Sequence, residues 1–532
     1  VRYGFLRKSM EASNIYYIVL EKARPYTRIR HGKLERVKGY QSRARTRLDQ
    51  ALDQNRPDVK MTLQIAKEVR TLGGRALIVG GFVRDALMGR RSKDLDVEVY
   101  GLRRDKLGKL LSSLGKVDEV GASFGVFKVK NESMDVPLDV SLPRRDNLVG
   151  VGHKGFVVET DEWMSPQEAA SRRDLTINSM AYDPLKRKLI DPFGGKDDIR
   201  LKKLKATDEK HFAEDPLRVL RVMQFAGRFG FAPDAKLMSL CRSISLSSLP
   251  KERLYTELEK LLLKSKKPSK GLIYMPFLGI TKIFPEIEKM MAIPQNPASH
   301  PEGDVWEHTL LVVDAARQYI DKFDKKSQMA VMLAALLHDV GKPQTTFFDE
   351  TKGHTVSPGH QVIGTVIAEE FLKKITDDKE LVETVKTLIW HHMVPHDLYK
   401  QNAPDSAIRR LARKVNISLL LALTTADKEG RGKRTDLRTQ SWLLGKYKEL
   451  KLDQADALKP LVMGRHLISV GVPPGKDMGR ILDGLYEAQL EGKFKTAEEG
   501  LAYMKEHKLE EQPKPFGFGA LYERKGWTGW VT

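Results

Sequence analysis

The chain has 532 residues, too many for one hydrophobic core, so three or more domains are expected. Its 91 Lys and Arg against 70 Asp and Glu leave a charge of +21, which points to a polyanionic partner, nucleic acid before membrane. The single cysteine, Cys241, excludes internal disulfides and fits a reducing compartment. No apolar run approaches membrane-spanning length, and the first residues lack a signal-peptide core, so a cytoplasmic enzyme is expected.

Residues 1–60 form a basic extension with Arg28, Arg30, Arg36, Arg43, Arg45 and Arg47. Two readings stay open: an RNA-binding arm, or an over-extended gene start, since the chain begins with Val1 and Met61 precedes a good helix. Met61 to Arg70 has the apolar spacing of an amphipathic helix. The stretch Leu77–Tyr100 reads as strand, glycine turn, short helix and second strand. Gly80 and Gly81 let backbone approach a phosphate closely, and the helix after them, about Phe82 to Met88, would aim its N–H groups at that phosphate. Lys93 to Val99 alternates at strand period, which puts Asp94 and Asp96 on one face. A carboxylate pair beside a glycine-lined cradle, with Arg84 and Asp85 just upstream, suits Mg²⁺ and a nucleoside triphosphate. A helix over Leu107–Leu114 and strands over Val117–Val120, Phe124–Val129 and Pro137–Leu142 follow, the last carrying Asp139 as a third carboxylate.

Pro166 to Ser171 reads as a helix that delivers Arg172, Arg173, Asp174 and Asn178, an arginine clamp of the kind phosphoryl oxygens need. From about 200 to 290 the pattern is wholly helical. Within it Glu214, Asp215, Pro216, Arg218 and Arg221 open a helix, with acids at its positive end. Asp215 and Arg218, three apart, share a face. Together they match cytosine and adenine, which each present an amino donor beside a ring-nitrogen acceptor; guanine and uracil present the opposite pattern.

These motifs, in this order over residues 61 to 290, resemble the class II tRNA nucleotidyltransferases, which include CCA-adding enzymes and bacterial poly(A) polymerases. The resemblance implies an α+β, mostly α protein: a DNA polymerase β-like head with a mixed sheet, followed by an all-helical neck. It implies Mg²⁺ on Asp94 and Asp96; Asp139, read from its place on the neighbouring strand, is the expected third catalytic carboxylate. Nucleotide contacts are expected from Gly80, Gly81, Arg84, Asp85, Arg173, Asp174 and Asn178, and from Asp215, Arg218 and Arg221 in the neck.

A second constellation occupies residues 291–430. His308 lies in one helix, and Val331–Leu337 is a buried helix ending in His338-Asp339-Val-Gly341-Lys342-Pro343. His354, His360, His391 and His392 follow, and Asp427 closes an apolar run. A buried His-Asp pair is costly without metal or hydrogen-bond partners, and imidazole with carboxylate suits Mg²⁺ or a transition ion such as Ni²⁺, Co²⁺ or Mn²⁺. This resembles an HD-domain phosphohydrolase, whose ligands map onto His308, His338, Asp339 and Asp427; His360 and His391 are weaker candidates for a second metal or a phosphate contact. The expected boundaries are 1–60 extension, 61–200 head, 201–290 neck, 291–430 HD domain and 431–532 helical body and tail.

The expected activity is addition of CCA to tRNA 3′ ends from CTP and ATP, with a 2′,3′-cyclic phosphodiesterase, 2′-nucleotidase or phosphatase attached. Two alternatives stay open: poly(A) polymerase or a CC- or A-adding enzyme, and an RNA-binding HD phosphohydrolase with an inactive head. The sequence leaves the oligomeric state undetermined.

Overall fold

The computed structural model describes residues 29–30, 33–34, 47–53, 55–92, 94–120, 125–148, 156–432, 436–454 and 458–509. Arg28, Arg36, Arg43 and Arg45 of the basic extension, and the tail from 510 onward, lie outside the described residues. Two compact units divide the chain, Val1–Pro285 and Glu286–Thr532.

The first unit is built on a seven-stranded sheet. Its strands are β1 (Arg75–Val79), β2 (Asp96–Tyr100), β3 (Lys116–Val120), β4 (Val126–Lys130), β5 (Leu138–Ser141), β6 (Ala181–Asp183) and β7 (Lys188–Ile190), in the order β7-β6-β1-β2-β5-β4-β3. Within this sheet only the β2–β5 pairing is parallel; the others are antiparallel. Helices α1 (Pro57–Thr71), α2 (Gly81–Leu87) and α3 (Arg104–Leu114) belong to the same unit. Val59, Ile65 and Val69 form the buried stripe of α1. Gly80 turns β1 into α2 at φ +68°, a left-handed value that favours glycine. Register then decides the site: Asp96 lies opposite Val79 on one side and opposite Asp139 on the other, so two carboxylates stand side by side on neighbouring central strands.

After α4 (Pro166–Ser171), capped by Ser165, the neck departs from the wholly helical expectation. Lys203–Leu204 pairs in parallel with Ala232–Pro233, because Gly230 in the left-handed conformation ends the preceding helix and returns the chain extended. The helical run over the Asp215 motif is also split. Glu209–Ala213 is a short helix capped by Asp208, and α5 (Leu217–Phe229) starts only after Pro216, which has no N–H to continue the ladder. α6 (Lys251–Lys264) and the short helix Ser269–Leu272 pack on α5.

In the second unit, α8 (Lys325–Leu337) is the central element, buried at every residue from Met329 to Leu337. It packs against α7 (Val305–Ala316), α10 (Lys379–His391) and α11 (Ile417–Glu429), while α9 (His360–Lys373) packs on α10. Each leucine so buried contributes about 1.5–3 kcal/mol. Asp304, Asp324, Asp378 and Asn416 cap α7, α8, α10 and α11. Helices Gly464–Ser469, Lys476–Leu490 and Ala497–Glu506 close around Leu467, Ile481, Leu485 and Met504. Among the described residues no helix is long and apolar enough to cross a membrane.

Gly271 lets its helix lie against α5. A Cβ there would sit 2.5 Å from the Met223 carbonyl oxygen and 2.6 Å from Leu261 Cδ1. Gly271→Ala is expected to cost about 1–3 kcal/mol of stability, read as a lower urea midpoint with unchanged slope.

Candidate active sites

One cavity in the first unit gathers most of the motifs. Gly80, Gly81, Asp94, Asp96, Asp139, Arg172, Arg173, Asp215, Arg218 and Arg221 line it, together with Arg253, Lys260 and Lys264 of α6. Arg173 reaches over the glycine turn: a Cβ at Gly80 would lie 2.9 Å from its Nη1. The guanidinium also pairs with Glu98 at 3.5 Å. Burial pushes the Asp96 carboxyl above the usual carboxylate range; Arg173 opposes the shift, while Asp139, Asp94 and Glu98 add to it. Lys128 offsets part of this charge from 3.3 Å off Asp139. A cavity that buries one carboxylate and sets others beside it fits a divalent cation, whose charge would offset both the burial and the repulsion.

Further lining residues, Arg84, Asp85, Asp174 and Asn178, join Arg221 in one hydrogen-bonded chain. Arg84 Nε donates to Asp85 at 2.8 Å and Nη1 to Asn178 Oδ1 at 2.6 Å. Asn178 Nδ2 donates to Asp174 Oδ1 at 2.9 Å, and Arg221 Nε to Asp174 Oδ2 at 2.7 Å. Burial alone would raise the Asp174 carboxyl, but Arg221 and Asn178 hold it below its ordinary range; Arg221 is raised in turn by Asp174. Arg84 is lowered by burial against the pull of Asp85, and its guanidinium lies 4.7 Å from the Phe229 ring centre. Asp85, Arg84, Asn178 and Asp174 therefore hold one another in place as part of the cavity lining.

The structure corrects one detail of the base-reading pair. Asp215 and Arg218 line the same cavity, and Arg218 N donates to the Asp215 carbonyl at 3.0 Å, but their side chains take different partners, because Asp215 precedes α5. Asp215 Oδ1 accepts from Leu217 N at 3.0 Å and Oδ2 from Arg253 Nη2 at 2.9 Å. Arg218 donates to the carbonyls of His211, at 2.5 Å, and Arg172, at 2.8 Å. Arg253 was not legible as a site residue; only its place on α6, facing α5, reveals it.

The second unit holds a buried centre. His308 lies on α7, His338 and Asp339 end α8, His360 opens α9, His392 ends α10 and Asp427 lies on α11. His308 Nε2 lies 3.1 Å from Asp427 Oδ1, and His338 Nε2 3.2 Å from Asp339 Oδ2 without making a hydrogen bond. Two atoms bound about 2.1 Å from one ion stand about 3.0–3.4 Å apart, so these spacings fit ligands of a common ion. Among the described residues, every group of three or more such ligand atoms within 4.8 Å of one another falls in this unit. Of His360 and His391, only His360 reaches the centre. The end of α10 turns His392 inward instead, while His391 Nδ1 faces the Thr387 carbonyl.

Three further residues support it. Glu302 Oε1 lies 2.7 Å from His308 Nδ1, at an angle too bent for a regular hydrogen bond, and 2.9 Å from His300 Nδ1. Burial would raise Glu302, but the two imidazoles hold it at about 2. Lys342 Nζ sits 2.7 Å from Asp339 Oδ2, and Arg431 3.3 Å from Asp427. Burial opposes ionisation of both aspartates; His338 and Lys342 nevertheless hold Asp339 well below the carboxylate range, as Arg431 and His308 hold Asp427.

Sequence comparison separates the same segments. The Poly A polymerase head domain family matches residues 76–205, the family described as "Probable RNA and SrmB- binding site of polymerase A" matches 231–291, and the HD domain family matches 305–429. A multifunctional CCA protein of Shewanella denitrificans is 34% identical over 334 residues, 61% of this chain and 76% of that one. The chain belongs to the multifunctional CCA protein family. A second member of this family, from Halorhodospira halophila, is 30% identical over 69% of this chain and 86% of its own length. The fold is that of solved CCA-adding enzymes. The Thermotoga maritima enzyme, complexed with tRNA_CCA, gives a TM-score of 0.56 at 20% identity, covering 87% of this chain and 98% of that one. The Bacillus stearothermophilus enzyme, in complex with CTP, gives 0.57 at 20% identity over 86% and 99%.

Two expectations follow for this member of the multifunctional CCA protein family. The raised Asp96 means that the fold favours its protonated form; that contribution is present below the ordinary carboxylate range and lost as pH rises through the raised value. Metal-free Asp96→Asn should therefore melt above wild type at about pH 8, and the gap should close towards about pH 4. Equal melting at both pH values would contradict the raised Asp96. Arg253→Ala, which leaves Asp215 without its cation, should lower kcat/KM for both CTP and ATP about tenfold, with partial recovery in Arg253→Lys.

Proposed function

We propose that the first unit adds CCA to tRNA 3′ ends from CTP and ATP without a nucleic-acid template, and that the second hydrolyses phosphate esters. The observation that carries the transfer reading is the single cavity where a glycine phosphate cradle, three carboxylates and a base-reading carboxylate meet. Mg²⁺ on Asp94 and Asp96 would supply charge neutralisation and an activated 3′ oxygen. The backbone at Gly80 and Gly81 and the Arg173 guanidinium hold the triphosphate, so that the α-phosphorus faces Asp96 and Asp139. Asp215 accepts the amino group of cytosine or adenine, Arg218 donates to the ring nitrogen, and Arg253 keeps the Asp215 carboxylate aimed. Most of the catalysis is then positioning and charge balance by groups set before substrate arrives.

In the second unit, a divalent ion, Mg²⁺ or a transition ion such as Ni²⁺, Co²⁺ or Mn²⁺, would be held by His308, His338, Asp339 and Asp427 and would supply an activated water. Lys342 and Arg431 place positive charge where a phosphate ester would bind. Glu302 steadies His308 from behind, as outer carboxylates steady metal-bound imidazoles. Such an activity would clear damaged or cyclised RNA ends before extension. A tRNA partner and the lone cysteine suit the cytoplasm.

Extension of a tRNA transcript lacking its CCA tests the reading. With CTP and ATP together, extension should stop after CCA, and Asp96→Ala should reduce it about a thousandfold while hydrolytic opening of a cyclic-phosphate end to the monoester persists. A long A tract from ATP alone would instead indicate a poly(A) polymerase, and C or A alone a split activity. No extension under any condition would sink the transferase reading.

A further inference from the structure

We propose that Glu98 is a positioning residue for nucleotidyl transfer: held by the Tyr100 hydroxyl, it fixes the Arg173 guanidinium over the glycine turn before the triphosphate arrives. The inference rests on the transfer reading of the first unit and adds a residue to it. Glu98 lines the cavity two positions beyond Asp96 on β2, so strand alternation turns both carboxylates to one face. A further carboxylate beside a site for a polyanionic triphosphate weakens binding by repulsion. Its contacts show what offsets that cost. Oε1 lies 3.5 Å from Arg173 Nη2, and Oε2 accepts from the Tyr100 hydroxyl. The Glu98 side chain is 12% exposed and that of Arg173 27%, so solvent screens the pair weakly. The other guanidinium nitrogen, Nη1, lies against Gly80, and the arginine therefore spans from Glu98 to the phosphate cradle.

Tyr100 sets the frame for both ends of that arginine. It is buried in a hydrophobic cluster that includes Met164 and Ala169. Ala169 belongs to α4, which ends two residues before Arg173. One ring thus helps to seat the helix that delivers Arg173, while its hydroxyl holds the carboxylate that orients the Arg173 head group. Backbone and guanidinium are both referred to β2, the strand that carries Asp96. The reacting phosphorus must sit between the phosphate-holding arginine and the Asp96 carboxylate, so a shared reference strand keeps their spacing fixed. An arginine left unrestrained would lose rotamer freedom at every encounter with triphosphate. One ordered in advance keeps that loss out of the reaction, which is the advantage of preorganised charge.

Kinetics of CTP and ATP addition to a tRNA transcript lacking its CCA test this on the full chain. Glu98→Gln keeps the shape of the side chain and removes its charge. The expected result is a kcat about tenfold lower for both nucleotides, with KM unchanged or lower because repulsion of the triphosphate is relieved. Tyr100→Phe keeps the ring and its packing and should lower kcat about threefold in the same way. Circular dichroism verifies folding, and Tyr100→Phe carries the comparison if Glu98→Gln fails to fold. Single-turnover rates in an Arg173→Ala background decide whether the effect runs through the arginine. There either substitution should change the rate by less than about twofold. An unaltered kcat, or a loss that persists in full without Arg173, would overturn the positioning role and leave the transfer reading standing. No extension by the wild-type chain would overturn both.

Discussion

Asp174 is a carboxylate buried where water cannot solvate it, and the first unit is arranged around satisfying it. Its two oxygens accept from Asn178, Leu175 N and Arg221, so the segment after α4 is pinned to α5 by charge-assisted bonds in a low-dielectric interior. Asn178 passes the constraint on to Arg84, and Arg84 to Asp85 beside the glycine turn. A partner removed anywhere along this chain leaves a buried charge or dipole uncompensated, which is why the phosphate cradle and the base-reading residues keep one spacing.

The two centres solve the cost of concentrated charge differently. In the first unit the carboxylates line a cavity whose walls carry arginines, and burial, with the neighbouring carboxylates adding to it, holds Asp96 above its ordinary range. A triphosphate brings its own charge and its own metal, so a site completed by substrate keeps its strongest interactions for the reacting state. In the second unit the ligands are enclosed and already converge, each of three imidazoles held by a backbone carbonyl at its far nitrogen. Such a site holds its geometry before any substrate binds.

The base-reading corner shows how much a local pattern can mislead. Three-residue spacing implies one helix face only when both residues are helical, and Pro216 delays the helix until Leu217. Asp215 therefore projects from the entry to α5 and takes Arg253, 38 positions away on α6, as its cation. The same displacement frees Arg218 to bind two carbonyls, one of them from the Arg172 segment.

Much was determined by sequence alone. The Gly80-Gly81 turn, the alternation over Asp96–Tyr100, and the apolar run ending in His338-Asp339 each carry a local signal, because turn geometry and side-chain period need no knowledge of the rest of the chain; Asp94, expected on the same strand face, lies just before the strand begins. Strand reading added Asp139, and family likeness extended these signals to the role of Asp427 and to the fold. What tertiary structure decided lies between segments distant in sequence. Strand register set Asp139 beside Asp96; the end of α10 selected His392 over its neighbour His391; and packing brought Arg253, Glu302 and Arg431 to positions that no spacing marks. The reason is physical: a side chain's partner across a core depends on which faces meet, and that is known only once helices and strands have packed.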